Sequence, residues 1–500
     1  MLAGSINTNV SALYALNALA NNGNKTSTLE QELSTGLAIN SPADNPAGYI
    51  AAQGFTAQIS GITQAASNAN QAISLVQTAD GAITQQVNIL QNIASIANQA
   101  ANGGATSQQL SALQQVVSQL QAQVSTISTQ TNFNGVNLLD GTFQNINFQV
   151  GADAGQTIGL SLSSTAANNI GAYGSTAASS SGPYHTAGAG TGAVGDNTGA
   201  SYAITSAGAG AFTAGTFGVS GSSGNHGITV TTTESAENVA SAINAATSST
   251  NVTATATTSA AFTVGAGTYS FTLGNGAYGA QTNTTVISGT ISAANAAGLS
   301  SLVNQINGTT GETGIVAAVN SSNQLVLTNS QGDNISFSGF TGTATLASAG
   351  SLAITIGGTG HTTGGTIQGL VTLQSSQSFG LSSAASDIGL NTSSTLSSLA
   401  SINVSTTAGA SAALNVVNFA LQQLETEGSQ LGATQQRLQA TVNNLQTTQT
   451  NLTSARSTVE DANIPQVSTQ LTQSQILQQA GVSALAQSSQ LQQSFLKLLQ

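Results

Sequence analysis

The sequence predicts a multidomain α and β chain: long N- and C-terminal helices paired as a coiled-coil-like bundle with a β-hairpin, plus an inserted β-rich region. Three observations predict it. From Ile59 to Ala97 the positions Ile59, Ile62, Ala66, Ala69, Ile73, Val76, Asp80, Ile83, Val87, Leu90, Ala94 and Ala97 follow in steps of three and four, and eleven of the twelve are apolar. A period of 3.5 residues fits a helix wound around other helices, and at 1.5 Å per residue this one runs roughly 58 Å, too long for an ordinary domain interior. A second seam near the other end, Leu414, Val417, Leu421, Leu424, Gly428, Leu431, Gln435, Leu438, Val442, Leu445, Gln449, Leu452, Arg456 and Val459, is the expected partner. Between the two, residues 166–401 hold mostly Ser, Thr, Gly and Ala, with no Lys or Arg and with short alternating runs in place of heptads.

In chain order, residues 5–35 read as a first amphipathic helix (Ile6, Val10, Leu13, Leu16, Ala20, Leu29, Leu33) that Gly36 would close. The string INSPADNPAGY at 39–49 is a turn, with Pro46 placed for the first turn of the long helix, where its missing N–H costs nothing. That helix is expected to stop near ANGGAT at 101–106. Leu110, Leu113, Val117, Leu120, Val124 and Ile127 then form a returning helix. TNFNGVNLLDG at 131–141 is turn chemistry, and Ile146, Phe148 and Val150 alternate before a Gly-Ala-Asp-Ala-Gly turn and Ile158, Leu160 and Leu162, which predicts a β-hairpin.

The inserted region reads as one or two small β-rich domains, with 174–200 as a flexible loop. Phe262 and Val264, then Tyr269, Phe271 and Leu273, flank a Gly-Ala-Gly turn like a hairpin. A weak internal repeat relates 235–257 to 295–330, each a short helix followed by strand, with Val239 and Ile243 in one helix and Leu299, Leu302, Val303 and Ile306 in the other. After Pro465 a last amphipathic piece, about 467–499, presents Leu477, Ala484, Leu491, Phe495 and Leu498. No partner for it within the chain is evident from sequence, so apolar stripes at both termini predict self-association.

Composition excludes several classes of function. Charged residues make up 4% of the 500, against about 25% in ordinary chains, and the four basic residues (Lys25, Arg437, Arg456, Lys497) build no basic patch. Nucleic acid and anionic membranes are therefore not expected partners. The absence of cysteine excludes disulfides and thiolate metal sites. The first 25 residues show neither a basic n-region nor an unbroken apolar core, and no apolar run is of membrane-spanning length, so composition alone predicts a cytoplasmic chain.

No catalytic arrangement stands out, and no cofactor is expected. His185, His226 and His361 lack a second ligand three or four residues away. Glu460 and Asp461 are adjacent, and adjacent helical residues point apart. Asp80 reads either as a register-fixing polar residue in the seam or as a residue at its wet edge.

The strings INTNVSALYALNAL, LSTGLAINSPADNPAGYIAAQGF, QTNFNGVNLLDG with FQVGADAGQTI, and VEDANIPQVSTQLTQSQILQQAG resemble bacterial flagellin over roughly 1–165 and 402–500. The resemblance implies a structural subunit, not an enzyme, that polymerises into the flagellar filament used for swimming. It implies type III export without a cleaved signal, hence an extracellular flagellum in place of the cytoplasm. It further implies an inner tube from 1–43 and 461–500, an outer tube from 44–165 and 402–460, and surface exposure of 166–401. Subunit packing would fall on Ile6, Val10, Leu13, Leu477, Ala484, Leu491, Phe495 and Leu498. Partners would be other copies of the chain, the junction and cap proteins, and an export chaperone. At the segment that a flagellin-sensing Toll-like receptor reads in the family (Gln91, Asn92, Ile96, and Val116 on the next helix), Asn92 and Val116 stand where activating members carry Arg and Glu, which implies weak or no activation. The alternatives are a hook–filament junction protein and a secreted adhesin or surface-layer protein.

Overall fold

The computed structural model describes residues 10–175, 192–195, 201–205, 215–231, 234–277, 280–344, 346–348, 355–356, 365–367, 369–382 and 393–498. Its helices are α1 (Val10–Thr35), α2 (Pro46–Ala101), α3 (Ser107–Gln130), α4 (Ala236–Ala245), α5 (Thr247–Thr250), α6 (Ala296–Gly308), α7 (Thr310–Thr313), α8 (Thr407–Glu460) and α9 (Ile464–Leu498). Long terminal helices with inserted β structure are the fold class the sequence predicts. The described residues divide into two compact units, one of 10–78, 144–161 and 430–498, the other of 79–143 and 162–429.

In the first unit, α1 ends at Thr35, and Gly36 follows at φ 75°, its N–H on Glu32 O at 2.9 Å. Asp44 then ties the turn, accepting from Asn40 N at 2.9 Å and Ser41 N at 2.7 Å. Asn45 caps α2 by accepting from Gly48 N at 3.0 Å, which leaves Pro46 in the first turn. The junction between α8 and α9 is clasped to this turn. Ala38 N donates to Glu460 O at 2.7 Å and Ala462 N to Gly36 O at 2.9 Å. Ile62 and Ala65 of α2 meet Leu445 of α8, and Gln449 Nε2 donates to Thr63 Oγ1 at 3.0 Å. The predicted hairpin pairs Ile146–Gln149 with Thr157–Leu160, Phe148 opposite Ile158. Ile158 and Leu160 are buried, whereas Ile146, paired with Leu160 at the start of the hairpin, is exposed.

In the second unit, α2 stops at Ala101, and Thr106 opens α3 through a capping box with Gln109. Asn134 and Gly135, both with positive φ, form a tight turn between Asn132–Phe133 and Val136–Asn137.

The inserted region builds three sheets. The first runs Ile315–Val319, Leu325–Asn329, Thr253–Val264, Leu370–Ser375, Gly171–Ser175, Thr395–Ser398, with Leu346–Ser348 also on Thr253–Val264. The second runs Ala280–Ile291, Gly267–Ala277, Ile335–Gly342, Gly365–Ile367, Ser201–Thr205, Gly192–Gly195. The third is Gly380–Leu381, Gly215–Gly221, Gly224–Val230. Most of 174–200, expected to be a flexible loop, lies outside the described residues, and its described ends are strand.

One expected pairing is corrected. Thr253–Val264 and Gly267–Ala277 follow each other but belong to different sheets; Gly267–Ala277 pairs with Ala280–Ile291. Gly267 directs the change. It sits at φ 148°, and a Cβ there would lie 2.6 Å from Ala344 N. The two strands still share a core, with the Phe262 and Phe337 rings edge-on at 5.7 Å and Phe271 stacked on Phe340 at 5.3 Å.

Candidate subunit-packing surface

Helix α9 has a partner within the chain, contrary to the sequence expectation: it lies along α1. Asn22 Nδ2 donates to Ser474 O at 2.6 Å, and Gly481 faces Leu19. On α1 the covered positions are Ala12, Ala15, Leu19, Asn22, Thr26 and Leu29, in alternating steps of three and four. On α9 they include Val467, Leu471, Ser474, Gly481 and Ser488. The inner stripe mixes small and polar residues with Leu19, Leu29, Val467, Leu471 and Leu485, so the two backbones approach closely where the residues are small. This partner was hidden because Ser474, Gly481 and Ser488 interrupt the apolar spacing of the covered face of α9.

A second set of large apolar residues points outward. Val10, Leu13, Tyr14 and Leu16 are 46%, 56%, 74% and 48% exposed, and Ile476, Leu477 and Val482 are 62%, 54% and 53% exposed. Leu477 also lines a groove of 390 Å³ with Ala15, Leu19, Asn22 and Lys25. Of the residues expected to pack subunits, Val10, Leu13, Leu477 and Ala484 are all exposed. Ile6 lies outside the described residues, as do the side chains of Leu491, Phe495 and Leu498.

The long seam of α2 uses one of its two expected positions per heptad. Ile62, Ala69, Val76, Ile83, Leu90 and Ala97 are buried as expected, but their companions are Ala65, Ala72, Ala79, Gln86, Ile93 and Ala100. Ile73 is buried too, Ile59 and Val87 are half-buried, and Asp80 is exposed, at the wet edge. On α8, Leu424, Leu431, Leu438, Val442 and Leu445 are buried and Leu421 is half-buried.

In the second unit Gln86 and polar side chains of α3 and α8 hydrogen-bond to the backbone. Gln86 Nε2 donates to Val124 O at 3.0 Å. Gln121 Nε2 donates to Leu399 O at 2.6 Å, and Gln114 receives Val404 N at 2.6 Å. Gln423 receives Gly171 N and Glu427 receives Ser163 N, each at 2.9 Å. Three amides, Gln114, Gln121 and Gln423, and the Glu427 carboxylate thus hold the segments on which the inserted region enters and leaves. The sequence reading missed them, because a buried glutamine has no signature apart from its distant backbone partner.

Among the described residues, Arg456 and Glu460 form an ion pair at 3.7 Å, and no group of three His, Cys, Asp or Glu side chains is placed to hold a metal. Asp461 accepts from Ser457 Oγ, so the two adjacent carboxyls have different partners. His226 is an exposed strand residue; His185 and His361 lie outside the described residues. Backbone N–H groups of Ser41 and Asn40 hold the Asp44 carboxyl below the ordinary carboxylate range. The Thr142 hydroxyl and N–H, with the Asn137 amide, do the same for Asp140. A hydrogen bond with Asp333, together with burial, pushes Glu237 up. Gln91 and Asn92 are exposed, Ile96 is half-buried and Val116 is exposed.

Three family descriptions match the chain: the bacterial flagellin N-terminal helical region at 6–144, the C-terminal helical region at 414–499, and the flagellin hook IN motif at 278–331. B-type flagellin of Pseudomonas aeruginosa is 34% identical over 526 aligned positions, covering 100% of both chains. Flagellin of Xenorhabdus nematophila is 42% identical over 161 residues, which is 32% of this chain and 51% of that one. Among solved structures, FliC from Burkholderia pseudomallei aligns over 73% of this chain and 99% of its own at 19% identity and TM-score 0.30. FlgL from Xanthomonas campestris aligns over 80% and 97% at 10% identity and TM-score 0.33. The two helical matches at the ends of the chain, and a relative aligned along all of it, place this protein in the bacterial flagellin family.

Proposed function

We propose that the chain polymerises through the outer faces of α1 and α9. As a flagellin it is a structural subunit of the helical flagellar filament, an extracellular assembly, and among the described residues no helix is long and apolar enough to cross a membrane. The observation that supports the reading is the second, outward apolar stripe of the terminal pair. Leu29 and Val467 are covered within the chain, but Leu13, Tyr14, Ile476 and Leu477 face water. A lone subunit with such a surface is incomplete, and covering each large side chain with a neighbouring copy is worth about 1.5–3 kcal/mol. In this arrangement 1–43 and 461–500 line the inner tube, 44–165 and 402–460 form the outer tube, and 166–401 faces the medium.

Junction and cap proteins would cap the polymer ends, and an export chaperone would cover the exposed stripe before secretion. Electron microscopy of purified protein tests the reading. Full-length chain should give micrometre filaments. Chain lacking 467–500 should give none, while keeping the cooperative melting of 43–460, because the Ala38–Glu460 and Gly36–Ala462 clasp precedes the cut. Long filaments from the truncated chain would move the assembly contacts elsewhere.

Receptor sensing is proposed to be weak. Exposed Asn92 and Val116 offer no charge-assisted hydrogen bond at a place where such contacts commonly contribute about 2 kcal/mol or more. Nanomolar stimulation of reporter cells by endotoxin-free monomer would contradict this.

A further inference from the structure

The internal repeat recurs in the structure bond for bond. Asn244, at the end of α4, receives Ala254 N at 2.7 Å and donates to Ala254 O at 2.8 Å. Asn307, at the end of α6, receives Ala317 N at 2.7 Å and donates to Ala317 O at 2.9 Å. Thr247 Oγ1 donates to Val252 O at 3.0 Å, and Thr310 Oγ1 to Ile315 O at 2.8 Å. Thr250 receives Val252 N at 3.3 Å, and Thr313 receives Ile315 N at 3.2 Å. The residue that closes each short helix, α5 or α7, is left-handed, Asn251 at φ 58° and Gly314 at φ 70°. The helix caps match as well, with Ser235 receiving Asn238 N and Asn295 receiving Gly298 N.

The order of strands shows how the copies are arranged. In the second copy the Gly267–Ala277/Ala280–Ile291 hairpin leads to α6 and α7. Ile315–Val319 then turns through 320–324 into Leu325–Asn329, and Ile335–Gly342 returns beside Gly267–Ala277. In the first copy the Gly215–Gly221/Gly224–Val230 hairpin leads to α4, α5 and Thr253–Val264. The partner there is Leu370–Ser375, with Ala256 opposite Val371 as Val319 is opposite Leu325. Gly380–Leu381 then returns beside Gly215–Gly221. The turns that follow agree too: Gln377 N donates to Ser375 Oγ and Gln331 N to Asn329 Oδ1. Where the second copy has a five-residue turn, the first holds the whole second copy.

The two copies keep separate cores. Phe217, Val219, Val239, Ile243, Val252 and Leu373 lie in one cluster. Phe262, Phe271, Leu302, Ile306, Ile315 and Phe337 lie in the other. The matched hook IN motif, 278–331, falls inside the second.

We infer that 215–382 is one motif nested inside another, and that the inner copy is a module with its own core displayed from a hairpin turn of the outer one, Thr253–Val264 running through both and Ser201–Thr205 extending the inner sheet. The inner copy is then dispensable for the fold of the outer copy and for polymerisation. A chain in which 257–370 is replaced by the inner copy's own turn, Asn-Ser-Ser-Asn-Gln (320–324), should form filaments. Its amides at Val219, Val239, Val252 and Leu373 should keep native hydrogen-exchange protection. Loss of that protection overturns the inference. A pair of substitutions in the full chain makes an independent test. Ile306→Ala should lower protection at Phe262, Phe271 and Phe337 by roughly tenfold or more and leave the outer core unchanged, and Ile243→Ala should do the reverse. Joint loss in both cores after either substitution would show one cooperative unit and overturn it.

Discussion

The terminal pair α1/α9 and the bundle of α2, α3 and α8 carry similar heptad spacing but put it to different uses. In the bundle the large apolar residues face inward, with Leu90, Ile93, Val117 and Val124 fully buried, and alanines with Gln86 fill the remaining α2 seam positions. In the terminal pair Ser474, Asn22 and Gly481 share the inward face with Leu29 and Val467, while Leu13, Tyr14 and Leu477 face out. Periodicity says that a helix has a partner. It does not say whether the partner belongs to the same chain. A second, outward apolar stripe separates a surface held for assembly from a finished core.

The largest effect should come from adding charge to the outward stripe. Leu477→Asp or Leu13→Asp should raise the critical concentration for polymerisation roughly ten- to hundredfold, the equivalent of about 1.5–3 kcal/mol per contact. The thermal midpoint of the monomer should not move, since both positions are solvated there. The same change at Val117 should do the reverse, melting the bundle by putting an unpaired charge where no water reaches. Sedimentation and calorimetry on the two sets separate the cases. A fall in monomer midpoint for Leu477→Asp would collapse the distinction.

How much was legible follows from the same contrast. Both long helices, the stop of α1 at Gly36, the stop of α2 near 101–106, the place of Pro46 in the first turn of α2 and the 146–160 hairpin follow from local chemistry, and the structure has them. One position per heptad of α2 was right. The other was displaced because every α2 heptad offers more apolar positions than one seam needs, and only the neighbours decide which are covered. Gln86 and Gln121 were invisible for a different reason: their partners, Val124 O and Leu399 O, are backbone groups, one of them 278 positions away. The outward stripe was readable from its large residues. The inward stripe was not, because Ser474, Gly481 and Ser488 interrupt its apolar spacing on α9.

A middle-sized effect should divide the glutamines. Gln121 donates to Leu399 O in a 3-10 turn on the exit path of the inserted region. Gln121→Leu takes away a buried carbonyl's short partner and should cost about 1–3 kcal/mol. Gln86 donates to Val124 O inside α3, a helical carbonyl, and its own Oε1 is buried without a partner. Gln86→Leu removes that orphaned acceptor, so its effect should stay within about 1 kcal/mol of zero and can be stabilising. Equal losses in urea titrations would mean that both amides serve only to fill space.

The smallest effect should be that of acid. Asp44 and Asp140 have folded carboxyls held below their ordinary range, so their stabilisation is present above the unfolded pKa and is lost as pH falls through the folded one, below about pH 4. Asp44 is exposed and Asp140 lies partly covered at the surface, which keeps the contribution small. Glu237 has the opposite sign. Its folded pKa is raised through Asp333, so its contribution is present at low pH and fades as pH rises past that value. Among the described residues one ion pair is there to be lost. The thermal midpoint should therefore fall only slightly from pH 7 to pH 4, and filaments should persist at pH 3. Glu237→Gln should flatten the profile by raising stability at neutral pH, where two carboxylates otherwise face each other at the first turn of α4. An unchanged neutral midpoint in Glu237→Gln would show that the pair relaxes into solvent. Filament collapse at pH 3 would show that acid attacks a contact between subunits and not the subunit itself.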